Sequence, residues 1–399
     1  MKALHIVKTA HAATWVLHQV RVLVAARVDV SVALPSQTEG LAPQYRAAGA
    51  TVYEADLNPA GRKPWAMPGV MRACRELVEQ VRPDLIHTHH VGTTFLVRAA
   101  LGKKSPIPRI FQVAGPLHLE SDFFSWLDLR LSGPQDFWIA TCNWTRNRYR
   151  ALGVTEGHVF LSYAGTDTAP FGGPRTGILR RELGIPINAP LVGMVAYMYA
   201  PKWILGQHRG LKGHETFIAA MGRVRERRPE VRAIIIGGPW NGATWYEQRL
   251  RDLGAQSCNG SLYFTGSRND VAAIYPDLDL AVVPSLSENL GGAVEPLMSG
   301  VPVVASNVGG LPDVVHDGQT GWLVPSANPG TLARAIEEAL NNPQQAQLRT
   351  ERGQKLARQL MDVGRTGREV VGIYENILSP PQELERTRTL RTTLRTTRE

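Results

Sequence analysis

Residues 284–310 read PSLSENLGGAVEPLMSGVPVVASNVGG and carry the strongest pattern in the chain. An apolar, β-branched run ends at Pro284, and a turn with two adjacent glycines, Gly291 and Gly292, follows it. Residues 293–298 then have the composition of a short helix, and residues 303–305 form the next apolar run. Strand, turn, helix and strand in this order are typical of a βα unit on a parallel sheet.

The same alternation extends from this stretch in both directions along the chain. Apolar, strand-like runs occur at residues 3–7, 28–34, 84–87, 109–113 and 137–141, and again at 191–195, 233–236, 262–265, 280–284 and 303–305. Residues 164–173, AGTDTAPFGG, have turn chemistry without periodicity and suit a linker. The sequence therefore predicts an α/β fold of two doubly wound, Rossmann-like domains facing a central crevice. We expect domains at residues 1–165 and 166–363, a helix at 364–379 that crosses back to the first domain, and a basic, low-complexity tail at 380–399.

Composition excludes several classes of protein. A chain of 399 residues with 43% hydrophobic and 20% charged residues is too apolar to be disordered and too long for one core. Its three cysteines, Cys74, Cys142 and Cys258, are widely spaced and predict neither a disulfide framework nor a thiolate metal site. The N-terminal segment turns polar too early for a signal peptide, and no run of about 18 apolar residues occurs. We therefore expect a cytoplasmic protein.

The basic balance does not indicate a nucleic-acid partner. The formal net charge is +9, but residues 386–399 hold five Arg and one Glu, which leaves +5 for the rest of the chain. No zinc-finger spacing or RNA-recognition signature accompanies this mild excess, so we expect no nucleic-acid binding. Peripheral contact with the inner membrane face stays open, since basic residues favour an anionic leaflet. The sequence does not indicate an oligomeric state.

Two carboxylates flank the glycine turn of the opening stretch. Glu288 precedes the turn and Glu295 lies in the following helix, so both are candidates to face one crevice. Carboxylates accept paired hydrogen bonds from the vicinal hydroxyls of a ribose or hexose, and free N–H groups at a helix start favour an anion. A simpler alternative for Glu295 is that it complements the helix dipole.

Basic residues follow the first strand of the second half. The long loop after residues 191–195 carries Lys202, His208, Arg209 and Lys212. At the carboxyl edge of a sheet this group would hold a phosphate or diphosphate, and a solvated basic loop is the alternative.

Polar residues also follow strands in the first half. Lys8, His89 and His118 are expected near the same sheet edge, and the turn GPLH at residues 115–118 makes His118 the histidine best presented to a substrate. The run HTHH at residues 87–90 has the look of a metal site, yet neighbouring side chains on a strand alternate in direction and no carboxylate has ligand spacing. We predict no metal site.

Taken together, these motifs resemble a known family. The run from Ser287 to Gly310, with PDLIHTHH at 83–90, AGTDTAPF at 164–171, LKGHETF at 211–217 and YFTGSRNDV at 263–271, resembles the retaining glycosyltransferases of the GT-B fold, glycosyltransferase family 4. The resemblance implies transfer of a hexosyl group, with retention, from a nucleotide sugar to a hydroxyl of a saccharide, natural-product or lipid-linked acceptor. It implies no metal and no other cofactor. Uridine diphosphate sugars are the first expectation and guanosine diphosphate sugars the second.

The resemblance also assigns roles to residues. Glu295 is expected to accept from the ribose hydroxyls, Glu288 to contact the transferred sugar, and Lys212 to neutralise the diphosphate. The expected donor-binding set is Arg209, Lys212, Gly266, Arg268, Glu288, Asn289, Leu290, Gly291, Gly292, Ala293 and Glu295. The expected catalytic residues are His118, Lys212 and Glu288, and the expected acceptor-side residues are Lys8, His89 and His118.

Two departures from the family pattern stand out. Six residues separate Glu288 and Glu295 where the family usually has seven. An Arg that the family commonly carries after the first strand of its second domain is absent, since this chain reads Val195-Ala196-Tyr197. Arg209 is the first candidate to replace that Arg, and Lys202 the second. Two other functions remain as alternatives: a nucleotide-sugar epimerase or hydrolase on the same fold, and a non-catalytic nucleotide-sugar-binding protein.

Overall fold

The computed structural model describes residues 1–201 and 207–378. Lys202 and the basic tail at 380–399, both named above, lie outside the described residues. Among the helices of the described ranges, none has the length and apolar character needed to cross a membrane.

The first domain is built on one parallel sheet. Its strands within residues 1–201 are β1 (Lys2–Ile6), β2 (Asp29–Leu34), β3 (Thr51–Glu54), β4 (Leu85–Thr88), β5 (Arg109–Val113), β6 (Asp136–Ala140) and β7 (Val159–Leu161). They lie in the order β3-β2-β1-β4-β5-β6-β7. The helices that cover both faces are α1 (Thr14–Ala25), α2 (Ala42–Ala47), α3 (Met67–Val81), α4 (Val91–Leu101), α5 (Asp122–Leu131) and α6 (Asn143–Ala151). Strands buried on both faces explain the continuous apolar runs seen in the sequence.

The second domain repeats this architecture. Its described strands are β8 (Leu191–Val195), β9 (Arg232–Ile236), β10 (Leu262–Phe264), β11 (Leu280–Val283), β12 (Val303–Ser306) and β13 (Trp322–Val324). They form a parallel sheet in the order β10-β9-β8-β11-β12-β13. The accompanying helices are α7 (Ile178–Leu183), α8 (His214–Arg227), α9 (Thr244–Cys258), α10 (Val271–Ile274), α11 (Gly291–Met298), α12 (Pro329–Asn341) and α13 (Pro343–Leu360). The predicted pair of doubly wound domains is confirmed.

Both sheets reverse their strand order beside their first strand. This switch lies between β1 and β4 in the first sheet and between β8 and β11 in the second. In open parallel sheets, ligands bind beyond the carboxyl ends of the strands at such a point. The opening stretch of the sequence begins where β11 ends, so the fold delivers it to the switch point of the second sheet.

A last helix, α14 (Val363–Leu378), returns to the first domain. Its residues Val370, Ile373 and Tyr374 are buried in the same apolar cluster as the core of β1, β2 and α1. The Tyr374 hydroxyl lies 2.5 Å from Nδ1 of His87 and 3.1 Å from Nε2 of His5. The C-terminal part of the described chain is therefore packed into the first domain.

Candidate active site

A cavity of about 370 Å³ opens at the carboxyl edge of the second sheet. Its walls come from the ends of β8, β9 and β11, the loop before α8, the loop before α10 and the first turns of α11. The polar and glycine residues on these walls are Tyr197, Tyr199, Lys212, Gly237, Ser267, Arg268, Ser285, Glu288, Gly291, Gly292 and Glu295.

A glycine brings Lys212 to this cavity. Gly213 precedes α8 with a φ of +74°, and a Cβ at this position would stand 2.0 Å from the carbonyl oxygen of Pro284. The Leu286 N–H donates to the Leu211 carbonyl at 2.8 Å, and this bond ties the loop to the segment that follows β11. Only glycine permits both the left-handed backbone and this close approach.

Lys212 and Glu288 form an ion pair on the cavity wall. Lys212 Nζ lies 2.5 Å from Glu288 Oε2, and the two side chains are 24% and 10% exposed. Glu288 also accepts from the Ser285 hydroxyl at 3.1 Å and from the Asn289 N–H at 3.1 Å. A cation suited to an anion and a carboxylate suited to hydroxyl groups therefore stand side by side.

Glu295 lines the same cavity and is held by a tyrosine. The Tyr275 hydroxyl donates to its Oε2 at 3.2 Å. Burial raises the pKa of Glu295, the charge of Glu288 raises it further, and the Tyr275 hydrogen bond opposes both effects. Helix α11 has no acidic residue in its first turn, so Glu295 is too far along the helix to act there as a dipole complement.

The start of α11 contributes backbone rather than side chains. Gly291 and Gly292 line the cavity, and their N–H groups belong to the first turn, where an α-helix has no internal acceptor for them. The Ala293 N–H, in contrast, donates to the Leu290 carbonyl at 3.0 Å, and the side chains of Leu290 and Ala293 are buried in the domain core. The N–H groups without an acceptor inside the helix are therefore those of the two glycines, and the ligand contact expected at Leu290 and Ala293 stays a prediction.

Asn289 joins the two domains instead of lining the cavity. Its Nδ2 donates to the Ala114 carbonyl at 3.3 Å and to the Thr141 hydroxyl at 3.0 Å, both in the first domain. A second contact runs from the Asn143 N–H to Asp313 at 2.7 Å. The amide NH2 group of Asn289 is thus bonded across the domain boundary, and its donor-binding role stays a prediction.

The remaining predicted donor residues fall in different places. Arg268 lines the cavity and pairs with Glu182 at 2.6 Å and with Asp270 at 2.7 Å. Gly266 does not line the cavity itself, but its carbonyl accepts a hydrogen bond at 2.9 Å from the N–H of Gly237, which does. Arg209 is exposed and does not belong to the described residues that line the cavity. The structure does not place it as the replacement for the family Arg.

On the first-domain side, His118 is fixed by buried polar groups. It is 6% exposed, and its Nε2 lies 3.1 Å from the Tyr149 hydroxyl and 3.5 Å from Asp128 Oδ2. Tyr149 donates to Asp128 at 2.6 Å, and the buried Arg98 pairs with the same carboxylate. Arg98 and these hydrogen bonds lower the pKa of Asp128 to about 2 in spite of its burial. Sequence reasoning missed Asp128 and Tyr149, because nothing in their spacing connects them to His118.

Glu120 was also missed, although it lies two residues from His118. Burial raises the pKa of Glu120, and the influence of Ser287 from the second domain opposes this effect. Glu120 therefore lies on the side of the first domain that faces the opening stretch. A carboxylate close after the predicted GPLH turn was the only signal available in the sequence.

The predicted acceptor-side residues Lys8 and His89 have different environments. Lys8 is exposed just after β1. His89 is fully buried, with its Nε2 3.0 Å from Nδ1 of His5 and its ring against Trp15 of α1. It therefore presents no surface to an acceptor. Side chains two apart on a strand share a face, so His89 follows His87 into the core beneath α1 and α14.

These buried histidines are the group that could hold a metal. Within the described ranges, His5, His87 and His89 are the three potential ligands found close together, with one nitrogen from each within 4.8 Å of the others. Four of their six nitrogens lie against one another or against Tyr374, while Nε2 of His87 and Nδ1 of His89 have no hydrogen-bond partner among the described residues. The His87 and His89 rings stack at 4.3 Å. Stacked rings do not direct their lone pairs to one point, so the arrangement suits a hydrogen-bonded core cluster better than a metal centre.

Two family profiles match the chain. The one described as Glycosyltransferase Family 4 matches residues 12–170, and the one described as Glycosyl transferases group 1 matches residues 203–342. Together they span most of the chain and divide it as the two sheets do.

Similar sequences and structures agree with these matches. The chain is 34% identical over 192 residues to a D-inositol 3-phosphate glycosyltransferase of Corynebacterium kroppenstedtii and 32% identical over 216 residues to one of Corynebacterium aurimucosum. These alignments cover 45% and 51% of this chain but only 40% and 48% of the relatives. HepE of Anabaena, solved with UDP, has a TM-score of 0.76 at 19% identity, covering 94% of this chain and 100% of its own. Sucrose-phosphate synthase of Thermosynechococcus elongatus also has a TM-score of 0.76 at 19% identity, covering 96% and 100%.

At such low identity the two solved structures establish the fold and nothing finer, while the two profiles identify the family. The chain belongs to glycosyltransferase family 4 and has the GT-B fold.

Proposed function

We propose that this protein transfers a hexosyl group from a nucleoside-diphosphate sugar to an acceptor hydroxyl, with retention of configuration and without a metal ion. The observation that carries the proposal is the placement of Lys212, Glu288 and the first turn of α11 on one cavity wall. Lys212 and the N–H groups of Gly291 and Gly292 would hold the diphosphate. Negative charge grows there as the glycosidic bond breaks, and preorganised donors of this kind stabilise it.

The two carboxylates would orient the rest of the donor. Glu288 would accept hydrogen bonds from hydroxyl groups of the transferred sugar, and Glu295 would accept them from the ribose hydroxyls. Arg268 and the backbone beside Gly266 border the base. Arg209 is exposed and does not belong to the described residues that line the cavity, so we assign the diphosphate chiefly to Lys212 and the helix start.

The first domain would bind the acceptor, with the exposed Lys8 and the nearly buried His118 on its side. The Tyr149 hydroxyl oxygen and the Asp128 carboxylate, both close to Nε2, fix the His118 ring, which orients the sugar or the acceptor. We assign no covalent nucleophile. The acceptor oxygen attacks the anomeric carbon on the face of the departing phosphate, the bond from that carbon to the phosphate oxygen breaks, and the phosphate takes the acceptor proton.

A uridine nucleotide is the first donor to test. HepE, whose fold this chain shares, has been solved with UDP and with UDP-glucose. The curated relatives are named for an inositol 3-phosphate acceptor, but this chain aligns with less than half of their length. We therefore leave the acceptor as a saccharide, natural-product or lipid-linked hydroxyl.

Titration calorimetry with UDP, GDP and ADP tests the donor site. We expect one nucleotide to bind the wild type, and Lys212→Ala to weaken it about 10- to 150-fold, the effect of losing a hydrogen bond from a charged donor. Lys355→Ala, at an exposed position on α13, is the matched control and should leave the dissociation constant unchanged. Equal affinity in all three proteins would refute the assignment.

A second measurement tests the reaction. Transfer from the matching nucleotide sugar to an acceptor panel should persist in excess EDTA, and NMR of the product should show the donor's anomeric configuration. Inversion, or activity restored only by Mg²⁺, would overturn the mechanism. Donor turnover that is equally fast without any acceptor would favour the epimerase or hydrolase alternative.

A further inference from the structure

Three aromatic side chains gather at the rim of the cavity where the family's Arg is missing. We call Tyr197, Tyr199 and Trp240 the aromatic shelf. The Trp240 ring lies 5.2 Å from the Tyr197 ring, at an interplanar angle of 63°, and 5.1 Å from the Tyr199 ring, at 30°. Tyr197 and Tyr199 line the cavity itself.

Two loops hold the shelf in place. The Met198 N–H donates to the Gly238 carbonyl at 2.9 Å, and the Trp240 N–H donates to the Met198 carbonyl at 3.2 Å. The Met198 side chain is fully buried in the core of the second domain. The Tyr199 N–H donates to the Tyr197 carbonyl at 3.1 Å, which forms a tight turn at Met198, and the tyrosines on both sides of this turn line the cavity.

The shelf leaves much aromatic surface exposed in the free protein. Tyr197 is 48% exposed and Trp240 is 41% exposed, although both rings take part in the packed group. A contiguous apolar surface beside a polar cavity is typical of a ligand site, since covering it removes apolar area from water.

The position of the shelf indicates which part of a ligand it would cover. Lys212 Nζ lies 5.9 Å from the centre of the Tyr199 ring and pairs with Glu288. The shelf thus adjoins the Glu288 end of the cavity. A ring held through its hydroxyl groups by Glu288 would offer its C–H face to an aromatic neighbour.

Resting on the proposed function, we propose that the aromatic shelf is a stacking surface for a saccharide ring. Pyranose rings combine a hydroxyl rim with a C–H face, which matches a carboxylate beside aromatic rings. Two sources supply this chemistry: the sugar of the donor and a sugar of the acceptor. Tyr197 follows the strand after which the family resemblance leads to an Arg, so a packing contact to a sugar would stand where an electrostatic contact to the diphosphate is expected.

The donor arm of the test compares a nucleotide with its sugar. Calorimetry with UDP against UDP-glucose, and GDP against GDP-mannose, is done on the wild type, Tyr197→Ala and Trp240→Ala. If the shelf stacks on the donor sugar, the variants weaken the nucleotide sugar about three- to tenfold and the bare nucleotide less than twofold. Tyr197→Phe keeps the ring and should behave as the wild type. Trp245→Ala removes an exposed Trp, 51% exposed, that packs on Tyr246 outside the shelf, and it serves as the matched control.

The acceptor arm uses methyl α-glucopyranoside with the bound nucleotide at saturation. Saturation-transfer NMR should show the ring C–H protons closest to the protein, and Tyr197→Ala and Trp240→Ala should lose this signal. A loss in either arm supports the proposal and identifies the source of the sugar. Unchanged behaviour in both arms, or an equal loss for bare nucleotide and nucleotide sugar, overturns it. A wild type that binds no nucleotide at all instead overturns the proposed function, so the two failures are distinguishable.

Discussion

Replacing Glu288 by Gln is expected to tighten the binding of a nucleoside diphosphate. In the free protein, Glu288 pairs with Lys212 Nζ at 2.5 Å, so its charge competes with the diphosphate for the ammonium. Glutamine keeps the size of the side chain and removes the charge. Its carbonyl oxygen can accept from the Asn289 N–H, and its NH2 group can donate to the Ser285 hydroxyl oxygen. Lys212 is then free to pair with the incoming anion.

The magnitude follows from the exposure of the pair. Exposed ion pairs contribute about 0.2–1 kcal/mol, whereas breaking fully buried ones costs about 3–5 kcal/mol. With Lys212 24% and Glu288 10% exposed, this pair lies between those limits, and we take about 1–2 kcal/mol. The dissociation constant of the preferred nucleoside diphosphate should fall about 5- to 30-fold. The free variant should lose stability by a similar amount, because Lys212 has lost its partner.

Transfer should change in the opposite direction. If Glu288 holds the hydroxyl groups of the sugar, kcat/KM falls in Glu288→Gln while the bare nucleotide binds more tightly. Calorimetry with UDP or GDP and a transfer assay on the same preparation measure both signs. Glu247→Gln is the control, because it makes the same charge change in an ion pair with Arg251 away from the cavity. Nucleotide binding that is unchanged or weaker in Glu288→Gln would refute the competition between carboxylate and diphosphate.

Three further predictions concern stability. Gly309→Ala should lower the free energy of urea unfolding by at least about 2 kcal/mol, because Gly309 has a φ of +52° and a Cβ there would stand 1.9 Å from the Glu288 carbonyl oxygen. Gly291→Ala is the control: its Cβ would meet nothing within 4 Å, so this change should leave the free energy of unfolding nearly unchanged. Burial raises the pKa of Glu295, so the folded protein binds more protons than the unfolded chain above pH of about 4.3, and stability falls as the pH rises through that range. The difference between the Tm of Glu295→Gln and the Tm of the wild type should therefore increase in favour of the variant from pH 4 to pH 7. Burial lowers the pKa of His5 to about 3 and those of His87 and His89 well below their usual value, so the unfolded chain alone takes up these protons below pH of about 6.5. Each histidine then costs up to about 1.4 kcal/mol per pH unit, and His89→Gln should flatten the acid side of the unfolding profile; equally steep profiles would contradict this.

The sequence predicts those parts of the fold whose signal is local. Long, β-branched runs identified the central strands of both sheets. Strands β3, β7 and β13 were missed: β7 and β13 have only three residues each, and β3, with four, lies at a sheet edge with partly exposed side chains. Short edge strands obtain their conformation from pairing with a neighbour, so periodicity within the segment carries little of it.

The candidate site divides in the same way. Glu288, Glu295 and the two glycines follow one strand end in one short stretch, and their grouping could be predicted because a single βα turn carries all of them. Asn289 could not be placed from sequence, since the residue next to Glu288 turns to the other domain. The same limit applies to His118, whose partners come from helices α5 and α6 rather than from its own turn.

The aromatic shelf shows where the boundary lies between local and tertiary information. Tyr197 and Tyr199 stand on both sides of a tight turn at Met198, which is a local feature of one segment. Nothing in that segment indicates that Trp240 completes the surface, since this depends on the backbone pairing of the loops after β8 and β9. The sequence of the loop after β8 alone shows only that the family Arg is absent. The aromatic surface becomes apparent only when the loop after β9, which carries Trp240, is placed beside it. If the two loops form one binding surface, Tyr197→Ala and Trp240→Ala should weaken the binding of the same ligand by a similar factor.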